Sequence, residues 1–133
     1  MAMRALVLLA QDPGPNGEPW RAGDVSVALG LKKRGIEPLL LDLSRAGIVV
    51  GRRGAAGGYW LARSADRITL ADVVAAVDRP LADSFGLRMH RPDEDAPAVW
   101  STVLGALRGI LGAVSVADVI EGHVPKRIRD VAG

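Results

Sequence analysis

The residues best equipped for chemistry in this chain of 133 amino acids are cations. Lys32, Lys33 and Arg34 follow one another just ahead of an acid, Glu37, and Arg52 and Arg53 stand inside the glycine-rich run Gly51-Arg-Arg-Gly-Ala-Ala-Gly-Gly58. Clustered Lys and Arg side chains neutralise phosphates, and a glutamate among them can accept a hydrogen bond from a cytosine amino group. Gly54, Gly57 and Gly58 would let backbone come close to a sugar-phosphate wall, with Arg53 projecting into a narrow, electronegative groove. The other reading of Arg53 is an exposed hairpin charge, and of Glu37 a first-turn acid favoured by the helix dipole. From residue 31 to 63 seven basic residues (Lys32, Lys33, Arg34, Arg45, Arg52, Arg53, Arg63) face two acids (Glu37, Asp42), a local +5 inside a net +2, with mildly acidic flanks. That distribution is the footprint of a polyanion-binding face, or else a solvated surface that happens to be basic.

Other chemistries find little support. The chain has no cysteine, which excludes disulfides, thiolate nucleophiles and cysteine-ligated metal or iron-sulfur sites. Two histidines, His90 and His123, both in breaker-rich segments, build no Ser/His/Asp constellation, so no catalytic residue, cofactor or metal ligand is assigned and the chain is not read as an enzyme. A phosphate-cradling nucleotide loop would follow a strand and open a helix, whereas Gly58 runs into the strand-like Tyr59-Trp-Leu61. The apolar start, Met1 to Ala10, breaks at Gln11-Asp-Pro13, too soon for a signal peptide or a membrane span, and the expected location is the cytoplasm. A hydrophobic content of 49% with 24% charged residues suits one small folded domain.

The elements that must hold these cations follow from periodicity and punctuation. Met1 to Ala10 reads as a short helix closed by the breakers Pro13-Gly-Pro-Asn-Gly17. Ala22 to Leu29 is a second helix, with Val25, Ala28 and Leu29 on one side and Gly30 at its end; Leu39, Leu40, Leu43 and Ala46 mark a third, stopping at Gly47. Helix, tight turn, helix is followed by two β-type runs, Ile48 to Val50 and Tyr59 to Ala62, a hairpin with an arginine-bearing tip. Gly57 and Gly58 are expected to take positive φ in that turn. Tyr59 shares a face with Leu61 and reads as core, while Trp60, on the other face, is either tucked under the first helix or exposed. Thr69 caps a fourth helix with Asp72 three residues on and Ile68 and Val73 as a hydrophobic staple. Residues 82–97 read as a loop carrying Asp93-Glu-Asp95. The set Trp100, Val103, Leu107, Ile110 and Val114, with Leu111 beside it, forms a seam along a helix from Ala98 to Val114 that is apolar nearly all round; Ser115 and Asp118 then repeat the capping pattern.

Helix-turn-helix, two-stranded wing and basic middle converge on a winged helix. The residues Gly30-Leu-Lys-Lys-Arg-Gly-Ile-Glu-Pro-Leu-Leu-Leu-Asp-Leu-Ser-Arg-Ala-Gly-Ile-Val49, Arg53-Gly-Ala-Ala-Gly-Gly-Tyr-Trp-Leu-Ala62 and Ile68-Thr-Leu-Ala-Asp-Val-Val74 come in an order and spacing that resembles the IscR/NsrR/CymR family of bacterial winged-helix transcription regulators. The likeness is good over about residues 20 to 81 and looser beyond.

It implies a mainly helical fold with a small β wing and a long C-terminal dimerisation helix: a winged-helix domain over 1–81, a loop in the sensor position over 82–97, and a dimerisation helix and tail over 98–133. It further implies a homodimer on double-stranded DNA, with Lys32, Lys33, Arg34 and Glu37 at the major groove, Arg52, Arg53, Gly54, Gly57 and Gly58 at the minor groove, and Trp100, Val103, Leu107, Ile110, Leu111 and Val114 between the protomers. Three departures stand out. Gly35 replaces the family's usual aromatic residue, the chain starts later than the family pattern, and the sensor segment has no cysteine, with Pro97 where one branch places a histidine ligand. A cysteine-free member holds no cluster, and any signal it senses, such as a small-molecule effector, is of another kind. The rival from a different class is a winged helix used for protein assembly without specific DNA binding.

Overall fold

The computed structural model describes residues 1–11, 14, 17–78 and 98–133. The expected loop over 82–97, with His90, the acidic run Asp93-Glu-Asp95 and Pro97, lies outside them. Within them the chain runs α1 (Ala2–Leu9), α2 (Ala22–Leu29), α3 (Lys33–Arg45), β1 (Val49–Arg52), β2 (Gly58–Leu61), a 3-10 turn (Ala65–Arg67), α4 (Leu70–Val77), α5 (Ala98–Ala113), α6 (Val116–Glu121) and α7 (Lys126–Ala132). This is the mainly helical fold with a β wing that the sequence implies.

One core serves nearly all of it. Leu6 and Leu9 from α1, Val25 from α2, Ile36, Leu40 and Leu43 from α3, Ile48, Val49, Ile68, Val73 and Val116 are all buried together. At about 1.5–3 kcal/mol for each fully buried aliphatic side chain, this cluster holds α2 and α3 in one orientation. The buried stripe of α3 is Ile36, Leu40 and Leu43, spaced four and three apart; Leu39 is half-buried and Ala46 exposed, so the stripe starts one turn earlier than the leucine pattern suggests. On α2, Ala28 faces solvent and Ser26 goes inside instead. Its hydroxyl donates to the Gly23 carbonyl at 2.7 Å, which removes most of the cost of burying it.

The turns fall where glycine permits them. Gly30 takes the left-handed conformation, φ 66°, between α2 and α3, and Gly47, φ 73°, turns the chain from α3 into the wing. The wing is an antiparallel ladder with Val50 opposite Trp60 and Arg52 opposite Gly58. Trp20 adds a single-residue bridge to Tyr59, whose N–H donates to the Trp20 carbonyl at 2.7 Å.

Two reciprocal capping boxes begin α4 and α6. The Thr69 hydroxyl accepts from the Asp72 N–H while the Asp72 carboxylate accepts from the Thr69 N–H, and Ser115 and Asp118 repeat the arrangement. The residues ahead of each helix, Thr69 and Ser115, pair as an antiparallel bridge, closed by Leu70 N–H to the Val114 carbonyl and Val116 N–H to the Ile68 carbonyl. The Asp118 carboxyl is held below the ordinary carboxylate range by the Ser115 N–H, then by the Ser115 hydroxyl, with His123 adding attraction at 3.6 Å.

Along α5 the apolar seam is only partly covered. Leu107, Ile110, Leu111 and Val114 are half-buried and Val103 is 43% exposed. Roughly opposite on the helix, Thr102, Gly105, Ala106, Gly109 and Gly112 are exposed, and a Cβ built on any of those three glycines would meet nothing within 4 Å. The Trp100 side chain lies outside the described ones. None of the helices among the described residues is long and apolar enough to cross a membrane.

Candidate nucleic-acid interface

The helix-turn-helix presents the start of α3. Lys32 is the residue flanking its first turn, Lys33 and Arg34 are its first helical positions, and all three are exposed, as is Glu37. Cations at a helix N-terminus oppose its dipole, so their placement is a local cost that packing does not repay. The side chains of Lys32 and Arg34 have no hydrogen-bond or ion-pair partner among the described residues. Lys33 reaches Glu37 at 3.5 Å in an exposed pair four residues apart, an interaction of about 0.3–0.5 kcal/mol that a phosphate or a base can displace. Glu37 sits in the second turn of α3, so the first-turn dipole reading does not apply to it. Gly35 is exposed with open space where a side chain would be, and Pro38, lacking an N–H, leaves the Arg34 carbonyl without its usual intrahelical donor.

The wing carries the second basic group. Arg52 belongs to β1 rather than to the tip and lies over the Trp60 ring, its guanidinium carbon 5.9 Å from the centroid, on the face shared with Val50. Arg53 stands one residue further on, exposed, with no partner among the described residues. Positive φ occurs at Gly54, 105°, and, as expected, at Gly58, 158°, but not at Gly57. Close approach requires glycine at 57, and adds to the requirement at 58. A Cβ on Gly57 would stand 2.2 Å from the Arg52 carbonyl oxygen, and one on Gly58 2.6 Å from Pro19 Cβ. These two glycines therefore close the turn and dock the wing on the chain before α2.

Trp60 is half-buried at the end of α1, lining with Leu9, Ala10, Leu61, Arg63, Ser64 and Ala65 an open groove of about 430 Å³. Tyr59 and Leu61 pack against the core, as their shared face implies.

Two arginines hold the wing, and sequence reasoning gave neither a role there. Arg21, at the start of α2, donates from its guanidinium to the Ala55 carbonyl in the wing tip, which brings a cation from outside the basic middle to the same face. Arg63, counted among the seven basic residues, is turned inward: its guanidinium donates to the Gly47 and Arg67 carbonyls and to the Asp72 carboxylate, each at 3.0 Å. No local pattern announces such contacts, because their partners lie up to 34 residues away in sequence.

A helix-turn-helix with an exposed basic first turn and a basic wing beside it defines a winged-helix nucleic-acid-binding protein. The sequence pattern of the Rrf2 family, described as iron-dependent transcriptional regulators, matches residues 1–122, and the chain belongs to that family. It is a DNA-binding transcriptional regulator of bacterial type. It is 29% identical over 136 residues to an HTH-type transcriptional regulator of Mycobacterium tuberculosis, covering 98% of this chain and 83% of the relative. It is 28% identical over 119 residues to the HTH-type regulator IscR of Xenorhabdus nematophila, covering 86% and 70%. CymR, the global cysteine regulator of B. subtilis, superposes with a TM-score of 0.67 at 21% identity over 92% of both chains. T. potens IscR gives 0.64 at 26% identity over 91% of this chain and 81% of the other.

The iron in the family's description finds no fitting set of donors among the described residues. There is no cysteine anywhere in the sequence, and no group of three His, Cys, Asp or Glu side chains among the described residues could hold a metal ion. His123 stands beside Asp118, and His90 lies outside the described residues.

Proposed function

We propose that two copies of this chain bind one DNA duplex, each setting the start of α3 in the major groove and its wing tip in the adjacent minor groove, without an iron-sulfur cluster. The observation that carries this reading is the set of exposed cationic side chains without a partner among the described residues, Lys32, Arg34 and Arg53, at the start of α3 and at the wing tip. Lys32, Lys33 and Arg34 neutralise phosphates, and Glu37, released from Lys33, accepts from a base. Arg52 adds charge along the wing and Arg53 enters the minor groove, while Gly54, Gly57 and Gly58 bring its backbone close. The seam of Trp100, Val103, Leu107, Ile110, Leu111 and Val114 on α5 joins the protomers; its half-covered side chains and a helix whose only charge between Ala98 and Val114 is Arg108 support that assignment.

The test is affinity for duplex DNA as a function of salt. Each neutralised phosphate contributes about −0.9 to the slope of log affinity against log salt, and the expected outcome is a steep negative slope from a dimer. Affinity unchanged between low and moderate salt for every duplex would overturn the reading and favour a protein-assembly role. The purified protein is expected to be colourless and indifferent to iron and sulfide; stoichiometric visible absorbance of a cluster would contradict this.

A further inference from the structure

Arg63 is a half-exposed cation whose guanidinium donors go to the protein's own oxygens. Its side chain is 35% exposed, and its Nη2 donates to Asp72 Oδ2, which also accepts from the Thr69 N–H and so belongs to the cap of α4. Nη1 takes the carbonyl of Gly47, the hinge between α3 and β1, and Nε takes the carbonyl of Arg67. A planar guanidinium with fixed donor directions thus fastens three places at once: the end of the DNA-reading helix, the turn after the wing, and the first turn of α4. Both α3 and α5 pack on α4. The line from Gly47 through Arg63 to Asp72 therefore leads from the reading elements to the helix that adjoins the seam.

We propose that Arg63 is a positioning residue for DNA readout, fixing the tilt of α3 and the wing against α4 without touching DNA. The lever is long. At 13 residues α3 is about 20 Å from end to end, and a tilt of about 10° at Gly47 carries Lys33 and Glu37 by about 3 Å. A displacement of that size breaks a base-edge hydrogen bond, whose range is a few tenths of an ångström, but leaves phosphate attraction, which acts over about 10 Å, nearly intact. Loss of the latch accordingly erodes discrimination between sequences and spares non-specific binding.

This rests on the DNA-reading proposal and is tested separately from it. Full-length wild type, Arg63→Ala, Asp72→Asn and the double variant are titrated against a duplex selected by the wild-type protein and against a random-sequence duplex, each at several salt concentrations. Asparagine at 72 keeps one acceptor oxygen for the Thr69 N–H and Arg63 Nη2, which share Asp72 Oδ2, and removes the charge that strengthens the second bond, so the α4 cap persists, the latch is weakened and thermal unfolding confirms a folded chain. The expected result is about tenfold weaker binding to the selected duplex for Arg63→Ala, a smaller loss in the same direction for Asp72→Asn, no loss in the double beyond that of Arg63→Ala, and an unchanged random-duplex affinity and salt slope. The sign for Asp72→Asn is decisive. Removing a carboxylate from a DNA-binding protein strengthens binding by charge alone, so a loss in a chain that unfolds like wild type is the mark of a weakened latch. The proposal is overturned if Arg63→Ala lowers the salt slope by about 0.9 while Asp72→Asn binds as well as wild type or better, which would make Arg63 a phosphate contact. It is also overturned if the losses add in the double variant or if neither single variant differs from wild type. A wild type lacking salt-dependent binding would instead remove the DNA-reading proposal itself.

Discussion

The reading head and the C-terminal helix solve opposite problems. In the head, α2, α3 and the wing are tied by a shared core, by Arg21 to the wing tip and by Arg63 to the wing root, and beside single exposed apolar residues such as Val27, Leu41 and Val50 what remains is a concentration of charge, Lys32, Lys33, Arg34 and Arg53. Along α5 the exposed residues carry no charge and, Thr102 apart, are apolar or glycine: Val99 is 78% exposed, Val103 43%, and the three glycines face open space. A surface left with unpaired cations is complete as a fold and lacks only a polyanion. A helix left with half-covered aliphatics is not complete as a fold, because exposed apolar area costs about 25 cal/mol per Å² that a second apolar surface would recover. The two regions thus call for partners of different chemistry.

The largest expected effect comes from attacking α5. Leu107→Glu with Ile110→Lys should give a monomer or an insoluble chain by sedimentation and, by losing two-site engagement, weaken DNA binding by roughly 10²–10⁴-fold. A double variant that stays dimeric and binds normally would move the interface off the seam. Gly109→Leu on the opposite, open face should weaken the dimer less; an equal loss would show that the glycine face is also in contact.

Next come the head's own residues. Arg53→Ala should cost about 1–3 kcal/mol on sites with a narrow A·T minor groove and less elsewhere, and Glu37→Ala should relax preference at one base pair per half-site, both read from binding to a panel of duplexes. Uniform losses across the panel would show that neither reads sequence. Gly35→Ala should raise stability by about 1 kcal/mol in thermal unfolding, since nothing occupies the space its methyl would fill.

The smallest effect contrasts the two capping boxes. Asp118 has a depressed pKa, so the stability it contributes is present above its unfolded-state value and lost as pH falls through the lower folded value. Unfolding midpoints followed into the acid range should fall less steeply for Asp118→Asn than for wild type. Parallel curves would show that the Ser115 cap carries no pH dependence.

Local signals were legible in the sequence and distant ones were not. Thr69 and Ser115 announce their helices because a cap is satisfied within three residues, and Gly30 ends α2 because its φ is a property of one residue. Ser26 was concealed because a polar residue satisfied by Gly23 is buried without any apolar signature, and the requirement at Gly57 arises from a carbonyl across the turn rather than from its own φ. The cations of the head were legible as a charge excess, yet charge counting could not separate Arg63, which faces the protein's own carbonyls and Asp72, from Arg53, which does not. That distinction depends on side-chain direction, which pairing at long range sets.

The bridge between Thr69 and Ser115 has a consequence for where the chain tolerates change. It pins the start of α4 to the residues that follow α5, and α4 is further held by Val73 in the core and by Asp72 on Arg63, so the two helices share one hydrogen-bonded base. Joining ends already held in this way costs entropy that grows only as the logarithm of the length of the connection, about 0.6 kcal/mol for each doubling. Residues can therefore be inserted, deleted or exchanged between the two helices at little cost, while Ile68, Asp72, Val73 and Val116 keep the contacts that hold α3 and the wing. That connection is the stretch of the chain freest to change its chemistry.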